Sequence, residues 1–261
     1  MELLQLRNAT VKLTYGGTTF LIDPMLSQRG ALEPFPSLRG DERNPLHDLP
    51  LPITEILDGV DVVLVTHSHV DHWDPEAART IPKHTPILVQ DRFDADIVAA
   101  QGFTDVRILE NTTAFGQVTL TRVEGQHYDA PELVPLIVDV TGTAATMGVV
   151  LRAEGEPTVY FTGDTVWFTG VEEALRAFSP EVVVANAGGN RIPLGRLVLD
   201  DAEVALISRA APAAAIVAVH MEAVNHWGTS KAQLRQTAAA SGFTDRLFVP
   251  ADGESLTFPH P

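Results

Sequence analysis

Cysteine is absent from this 261-residue chain. That excludes disulfides and thiolate metal sites, so any metal must be held by nitrogen and oxygen donors. The sequence contains no run of about 18 apolar residues, which argues against a membrane-spanning helix. The opening stretch MELLQLRNATVKL has no basic segment leading into an apolar run and a small-residue cleavage site. No secretory signal is expected, and a cytoplasmic location is the default. Basic residues are scarce: 18 Lys and Arg stand against 34 Asp and Glu, a formal charge of -16. A surface of that sign opposes non-specific attraction to nucleic acid and anionic lipid. It leaves an anionic small substrate open, because a bound dication reverses the field locally.

What is present is an ordinary globular composition, 45% hydrophobic and 20% charged, which excludes disorder. The length suffices for a large core, and no linker divides it, so one domain over residues 1–261 is expected. Residues 9–13 and 18–22 flank Tyr15-Gly16-Gly17 and read as a β-hairpin. Residues 61–65 are an apolar run of the kind that forms a strand covered on both faces. Further strands are expected at 86–89, 118–123, 148–152, 158–161, 182–185, 215–219 and 247–249. Helices fit 75–80, 91–101, 171–178, 201–210 and 230–241; Asp201 and Ser230 stand near cap positions, and Gly242 closes the last helix. Strands alternating with helices indicate an α/β layered architecture.

Residues 27–52 depart from this pattern, with five prolines (Pro34, Pro36, Pro45, Pro50, Pro52) and little periodicity. A stretch this long without regular structure is either a functional loop or a passive excursion, and a lid over an active site is one expectation.

The chemistry concentrates in Val65-Thr66-His67-Ser68-His69-Val70-Asp71-His72-Trp73-Asp74, directly after the apolar run. A chain leaving a buried strand presents such side chains at the strand's C-terminal end, where α/β sheets form their sites. His67 and His69 are two apart, so in an extended segment they point the same way and can share one ion. Asp71 and His72 follow as the chain turns, facing a second position a few ångströms away. Imidazole and carboxylate donors suit zinc, manganese or iron, and paired ions in such sites stand about 3.5–4 Å apart.

This run resembles the signature of the metallo-β-lactamase superfamily, whose members share an αββα four-layer sandwich and bind one or two metals at the edge of its paired sheets. The hairpin ending in Leu21-Ile22-Asp23-Pro24 is similar to that of the branch containing ascorbate-6-phosphate lactonase and the N-acyl-phosphatidylethanolamine phospholipase D enzymes. There, the Asp at the position of Asp23 supports the metal histidines without touching metal. The resemblance implies further ligands downstream. His127 in Gly125-Gln126-His127-Tyr128 matches the third histidine of the first metal, Asp164 in Gly163-Asp164-Thr165 matches the bridging carboxylate, and His220 matches the last histidine of the second site. His226 rivals His220, but His220 directly follows the apolar run 215–219.

The resemblance thus implies two divalent ions, zinc first and manganese or iron as alternatives. His67, His69 and His127 would hold one, and Asp71, His72 and His220 the other, with Asp164 between them. A bridging hydroxide would attack a carbonyl or phosphoryl centre, making Asp71 and Asp164 catalytic as well as ligating. His226 or Tyr128 would stabilise developing charge. His47 either meets substrate or is a solvated loop residue, and His84 and His260 carry no signal. Oxygen-reducing diiron relatives place a Glu where this chain has His69, which favours hydrolysis over redox chemistry. The substrate expected is a small ester, lactone or phosphodiester, with no nucleic-acid partner and with a homo-oligomer left open. The competing readings are a nuclease of the same fold and a non-hydrolytic metal- or ligand-binding protein.

Overall fold

Short strands that are apolar on both faces dictate the architecture, because each face must be covered by a separate layer. The structure, a computed structural model, describes residues 1–259; His260 lies outside the described residues. In chain order the strands are β1 (Glu2–Arg7), β2 (Thr10–Tyr15), β3 (Thr18–Ile22), β4 (Val62–Val65), β5 (Ile87–Val89), β6 (Val106–Ile108), β7 (Thr112–Phe115), β8 (Val118–Glu124), β9 (Met147–Arg152), β10 (Val159–Phe161), β11 (Val182–Asn186), β12 (Arg191–Ile192), β13 (Gly195–Arg196), β14 (Ala215–Val219), β15 (Leu247–Phe248) and β16 (Ser255–Thr257). The helices are α1 (Ile53–Leu57), α2 (Pro75–Thr80), α3 (Arg92–Ala100), α4 (Val134–Thr141), α5 (Thr169–Phe178), α6 (Asp201–Ala210) and α7 (Lys231–Ser241).

Two seven-stranded sheets result, in the orders β16-β1-β2-β3-β4-β5-β6 and β15-β14-β11-β10-β9-β8-β7, with β12 and β13 forming a small separate hairpin. Strands β3 to β6 run parallel, as do β10, β11, β14 and β15. Alternation sorts their side chains into layers. Val62 and Leu64 of β4 and Val182 and Val184 of β11 meet in the core between the sheets. Val63 and Val65 face outward against Ala77, Ala78 and Val98 of α2 and α3. Val183 and Ala185 face the opposite way against α5, α6 and α7, through Leu175, Ile207 and Leu234. The chain is therefore an αββα four-layer sandwich.

The hairpin turn lies where expected, with Gly16 and Gly17 at φ 55° and 73°. Such values suit glycine and match a two-residue hairpin turn. Helix starts follow side-chain caps: Asp74 accepts from Ala77 N, Asp91 from Asp94 N and Ser230 from Gln233 N. The cap of α6 is Asp200, one residue before the expected Asp201. Elements that the sequence pattern did not anticipate are β1, β6, β7, β12, β13, β16, α1 and the apolar α4. No helix among the described residues is long and apolar enough to cross a membrane.

Candidate metal centre

The C-terminal ends of strands from both sheets converge on one edge of the sandwich, and each delivers part of a buried cluster. Asp23 follows β3, His67 to His72 follow β4, His127 follows β8, Asp164 follows β10 and His220 follows β14. All seven expected ligand positions and Asp23 are buried. Two groups of three donors form as expected: His67, His69 and His127, and Asp71, His72 and His220, each with ligand atoms within 4.8 Å of one another. His67, His72 and Asp164 make a third group that links them. Asp164 Oδ2 is 3.3 Å from His72 Nε2 and 3.7 Å from His127 Nδ1, and its Oδ1 is 3.5 Å from His220 Nε2. His220 Nε2 stands 3.2 Å from Asp71 Oδ2 and 3.1 Å from His72 Nε2.

Outer partners fix which ring nitrogen faces inward. His69 Nε2 is 3.2 Å from Thr143 O, His127 Nδ1 is 3.1 Å from Leu197 O, and His67 Nδ1 is 3.2 Å from Thr66 Oγ1. His72 Nδ1 is 2.9 Å from Asp23 Oδ2. Asp23 also accepts from Thr66 N and Thr66 Oγ1, both at 2.7 Å. This is the arrangement that orients an imidazole for a cation and raises its basicity. Buried His67 Nε2 has no hydrogen-bond partner among the described residues. An orphaned nitrogen amid imidazoles and carboxylates is costly alone and fits a divalent cation bound by nitrogen and oxygen donors.

The electrostatics divide the cluster. Burial lowers the pKa of His67 and His69 below the ordinary histidine value and that of His127 to about 3, keeping these rings neutral. Burial alone would do the same to His72, but Asp164, Asp23 and Asp71 outweigh it and raise its pKa well above the usual value. His220 is raised against burial by Asp164 and Asp71. Burial opposes ionisation of Asp71 and Asp164, yet His72 and His220 hold both carboxyls below their ordinary value. Burial thus holds the rings of one group toward the neutral form, whereas in the other the carboxylates draw His72 and His220 toward the protonated form, a role a bound cation would take over.

Backbone strain gathers here. Asp23 and His220 have φ of 45° and 59°, and Asn8 has 54°. Side chains avoid this left-handed region unless the surroundings enforce it. Asn8 O accepts from His220 N at 2.9 Å, while Asn8 Nδ2 donates to Asp71 O at 3.1 Å. Asn186 Nδ2 donates to Asp164 Oδ1 at 2.7 Å. Sequence reading missed both asparagines, since a lone Asn carries no spacing signal.

A cavity of about 330 Å³ opens onto the cluster, reaching His69, Asp71, His127 and Asp164. Its walls are apolar, chiefly Phe35, Leu136, Ile137, Val140, Ile192 and Leu197. None of the described lining residues is Lys or Arg. His226 lines it too, with a pKa lowered to about 4 by burial and Nδ1 unengaged among the described residues. Tyr128 is not among the lining residues and packs beside Leu133, Ile137 and Leu197. His47 borders a different cleft, with Nε2 3.1 Å from Glu222 O, and His84 is exposed.

Comparison with known proteins agrees with this geometry. A family model described as the beta-lactamase superfamily domain matches residues 18–221. UPF0173 protein YddR of Bacillus subtilis is 42% identical over 99% of this chain and 100% of its own length. A UPF0173 metal-dependent hydrolase of Azorhizobium caulinodans is 24% identical over 98% of this chain and 99% of its own. Among solved structures, an isothiocyanate hydrolase from Delia radicum gut bacteria superposes with TM-score 0.93 at 38% identity, covering 99% of this chain and 100% of that one. A possible metal-dependent hydrolase from Veillonella parvula gives TM-score 0.94 at 38% identity, covering 99% of each chain. The chain belongs to the beta-lactamase superfamily domain family, has the metallo-β-lactamase fold, and is a metal-dependent hydrolase.

Proposed function

We propose that this chain is a single hydrolase domain that holds two divalent ions and cleaves a small, uncharged electrophile carrying an apolar substituent. His67, His69 and His127 would hold one ion, Asp71, His72 and His220 the other, and Asp164 would bridge them. Zinc suits the donor set, and manganese and iron are chemically admissible. Bound ions would supply Lewis acidity and lower the pKa of a water toward neutrality, providing a nucleophile. The chain's own residues do the rest. Asp23 and the backbone carbonyls of Thr143 and Leu197 hold the imidazoles in place. His226, which burial keeps neutral above pH about 4, offers a ring nitrogen to charge developing on the substrate.

The observation that carries this reading is the apolar cavity, free of Lys and Arg among its described residues, that opens onto the cluster. A phosphodiester or polynucleotide would call for cationic groups along such walls, and the chain's charge of -16 works against both. An isothiocyanate or an apolar ester or lactone meets the same walls without penalty. The isothiocyanate is preferred because one of the two 38%-identical structural relatives is an isothiocyanate hydrolase. Water adding to the central carbon of R–N=C=S gives a thiocarbamic acid. Its C–N bond then breaks to release R–NH2 and carbonyl sulfide, with both protons of the water ending on nitrogen.

The test is elemental analysis of protein purified without added metal, followed by turnover of benzyl isothiocyanate, an apolar lactone and bis(p-nitrophenyl) phosphate. His69→Ala and Asp164→Ala are expected to lose bound metal and to lower kcat/KM by at least about a hundredfold. Unchanged metal content in both variants, or the phosphodiester as the preferred substrate, overturns the reading.

A further inference from the structure

Residue Asn225 spends its entire side-chain hydrogen-bonding capacity on one loop. Its Oδ1 accepts from Phe35 N at 3.0 Å and Asn44 Nδ2 at 2.9 Å. Its Nδ2 donates to Phe35 O and Gly40 O, both at 2.9 Å. An amide offers two donors and two acceptor sites, so all four are used. The backbone joins in: Asn225 N donates to Asn44 Oδ1 at 2.8 Å, and Asn225 O accepts from Ser37 Oγ at 3.0 Å. Both Asn44 and Asn225 are buried.

The base of the same loop is fixed separately. Leu32 and Asn44 exchange backbone hydrogen bonds at 2.7 and 3.0 Å, and Leu46 N donates to Ala223 O at 2.8 Å. Arg7, fully buried, donates to Met25 O, Ser27 O and His47 O at 2.7, 2.8 and 2.9 Å. Swinging the segment away would strand the buried Asn225 amide and the buried Arg7 guanidinium together, a cost that buried polar groups impose in full. What the loop presents is Phe35, whose ring stands edge-on to His226, the neighbour of Asn225, with centroids 4.6 Å apart. Phe35 faces the same cavity as Leu136, Ile137 and Val140 of α4.

We infer that residues 28–47 form a fixed wall rather than a swinging lid, that Asn225 is the positioning residue holding Phe35 against His226, and that Phe35 and α4 together make a subsite for an aryl or alkyl tail. The inference deepens the proposed function and rests on it for the identity of the reacting group, but not for the tail subsite itself. The subsite selects by apolar contact: a longer tail covers Phe35 and the α4 side chains, whereas a methyl group leaves them wet.

The experiment compares wild type with Phe35→Ala, Asn225→Ala and the double variant, using benzyl and methyl isothiocyanate and the acetate esters of benzyl and methyl alcohol. Phe35→Ala is expected to lower the benzyl-to-methyl ratio of kcat/KM by about tenfold or more, the scale of a lost hydrophobic contact. Asn225→Ala should lower it comparably, with metal content retained. The double variant should be no worse than Phe35→Ala alone, because Asn225 acts through Phe35. A wild-type ratio in Asn225→Ala, or effects that multiply in the double variant, overturns the assignment. If Asn225→Ala does not fold, Asn225→Asp, which keeps both acceptor sites and loses both donors, takes its place with the same expected direction.

Binding of the neutral fluorophore N-phenyl-1-naphthylamine, with and without added metal, separates the subsite from the chemistry. Weaker binding in Phe35→Ala alongside absent isothiocyanate turnover in wild type would sink the reacting group while upholding the subsite. Equal binding in all four proteins would remove the subsite.

Discussion

At the scale of single residues, carboxyl groups of one chemistry do different work here because their surroundings differ. Asp23 is fully engaged by His72 and Thr66 and orients the site. Asp94, in the first turn of α3, accepts from Ser68 Oγ at 2.5 Å, but its Oδ2 has no partner among the described residues. Burial raises its pKa from 3.8 to about 6, against the lowering effect of its donors Ser68 and Gln90. The folded chain therefore keeps this proton longer than the unfolded chain, which releases it near 3.8. Between those values the native state binds more protons, so this group's contribution to stability falls as pH rises and is lowest above about 6. Asp94→Asn removes that loss. In metal-free protein, urea midpoints are expected to favour the variant increasingly as pH climbs from 4 to 7, by on the order of 2 kcal/mol at the top. Parallel pH profiles for the two proteins would show that Asp94 is ionised and satisfied in the fold.

At the scale of elements, what matters is how strand ends are locked so that their following residues land together. Gly163, between β10 and Asp164, has φ 61°, and a Cβ placed there would lie 2.2 Å from Met147 O, at the start of the neighbouring β9. Any side chain must push β10 from β9 or bend the turn that delivers Asp164. Gly163→Ala is expected to cost on the order of 2–3 kcal/mol in urea unfolding and to lower metal content in the same preparation. Full metal occupancy at wild-type stability would mean that the turn relaxes freely. The helix α4 poses the opposite question. Val134-Pro135-Leu136-Ile137-Val138-Asp139-Val140-Thr141 is nearly continuous apolar sequence, yet Val138 and Val140 are 42% and 64% exposed. Its inner residue Ile137 and the preceding Leu133 pack with Ile192, Leu197 and Val198, while Leu136 and Val140 give the cavity its wall.

At the scale of the whole molecule, two sheets that bury their shared faces create a rigid edge, and the centre sits on that edge with donors from both sheets. In the proposed arrangement a cation there would tie one sheet to the other, through His67, His69, Asp71 and His72 on one side and His127, Asp164 and His220 on the other. Binding confined to the native state stabilises it by about 2.7 kcal/mol at a hundredfold excess over Kd. A chelator is therefore expected to lower Tm by roughly 5–10 °C for a chain of this size, with recovery on adding back zinc or manganese. An unchanged Tm would mean that the sheets hold together without help from the centre. The acidic surface and the apolar cavity both accord with the proposed uncharged substrate: the surface field opposes anions, and the described lining residues include no Lys or Arg.

Much of this was readable from local pattern. The apolar run of β4 followed by His67-Ser68-His69-Val70-Asp71-His72 carries its own periodicity, because alternation along an extended chain decides which side chains share a face. The Gly16-Gly17 turn and the capped helices α2, α3 and α7 are equally local, set by backbone freedom and by side-chain oxygens next to free N–H groups. The edge strands β6 and β16 escaped detection because three residues carry too little pattern, and it is pairing with β5 and β1 that makes them strands. Helix α4 escaped because its β-branched apolar run reads equally well as a strand. Asn8, Asn186 and Asn225 escaped because hydrogen bonds across 63, 22 and up to 190 positions leave no trace in spacing. The sequence by itself determined the layered α/β pattern and the run from His67 to His72, since both follow from neighbours along the chain; His127, Asp164 and His220 came only from the family resemblance. Only the tertiary structure decided which nitrogen of each histidine faces inward, that Phe35 meets His226, and that the cavity beside the centre is apolar. Those depend on contacts between strand ends and loops that the chain brings together only when both sheets have closed over their core.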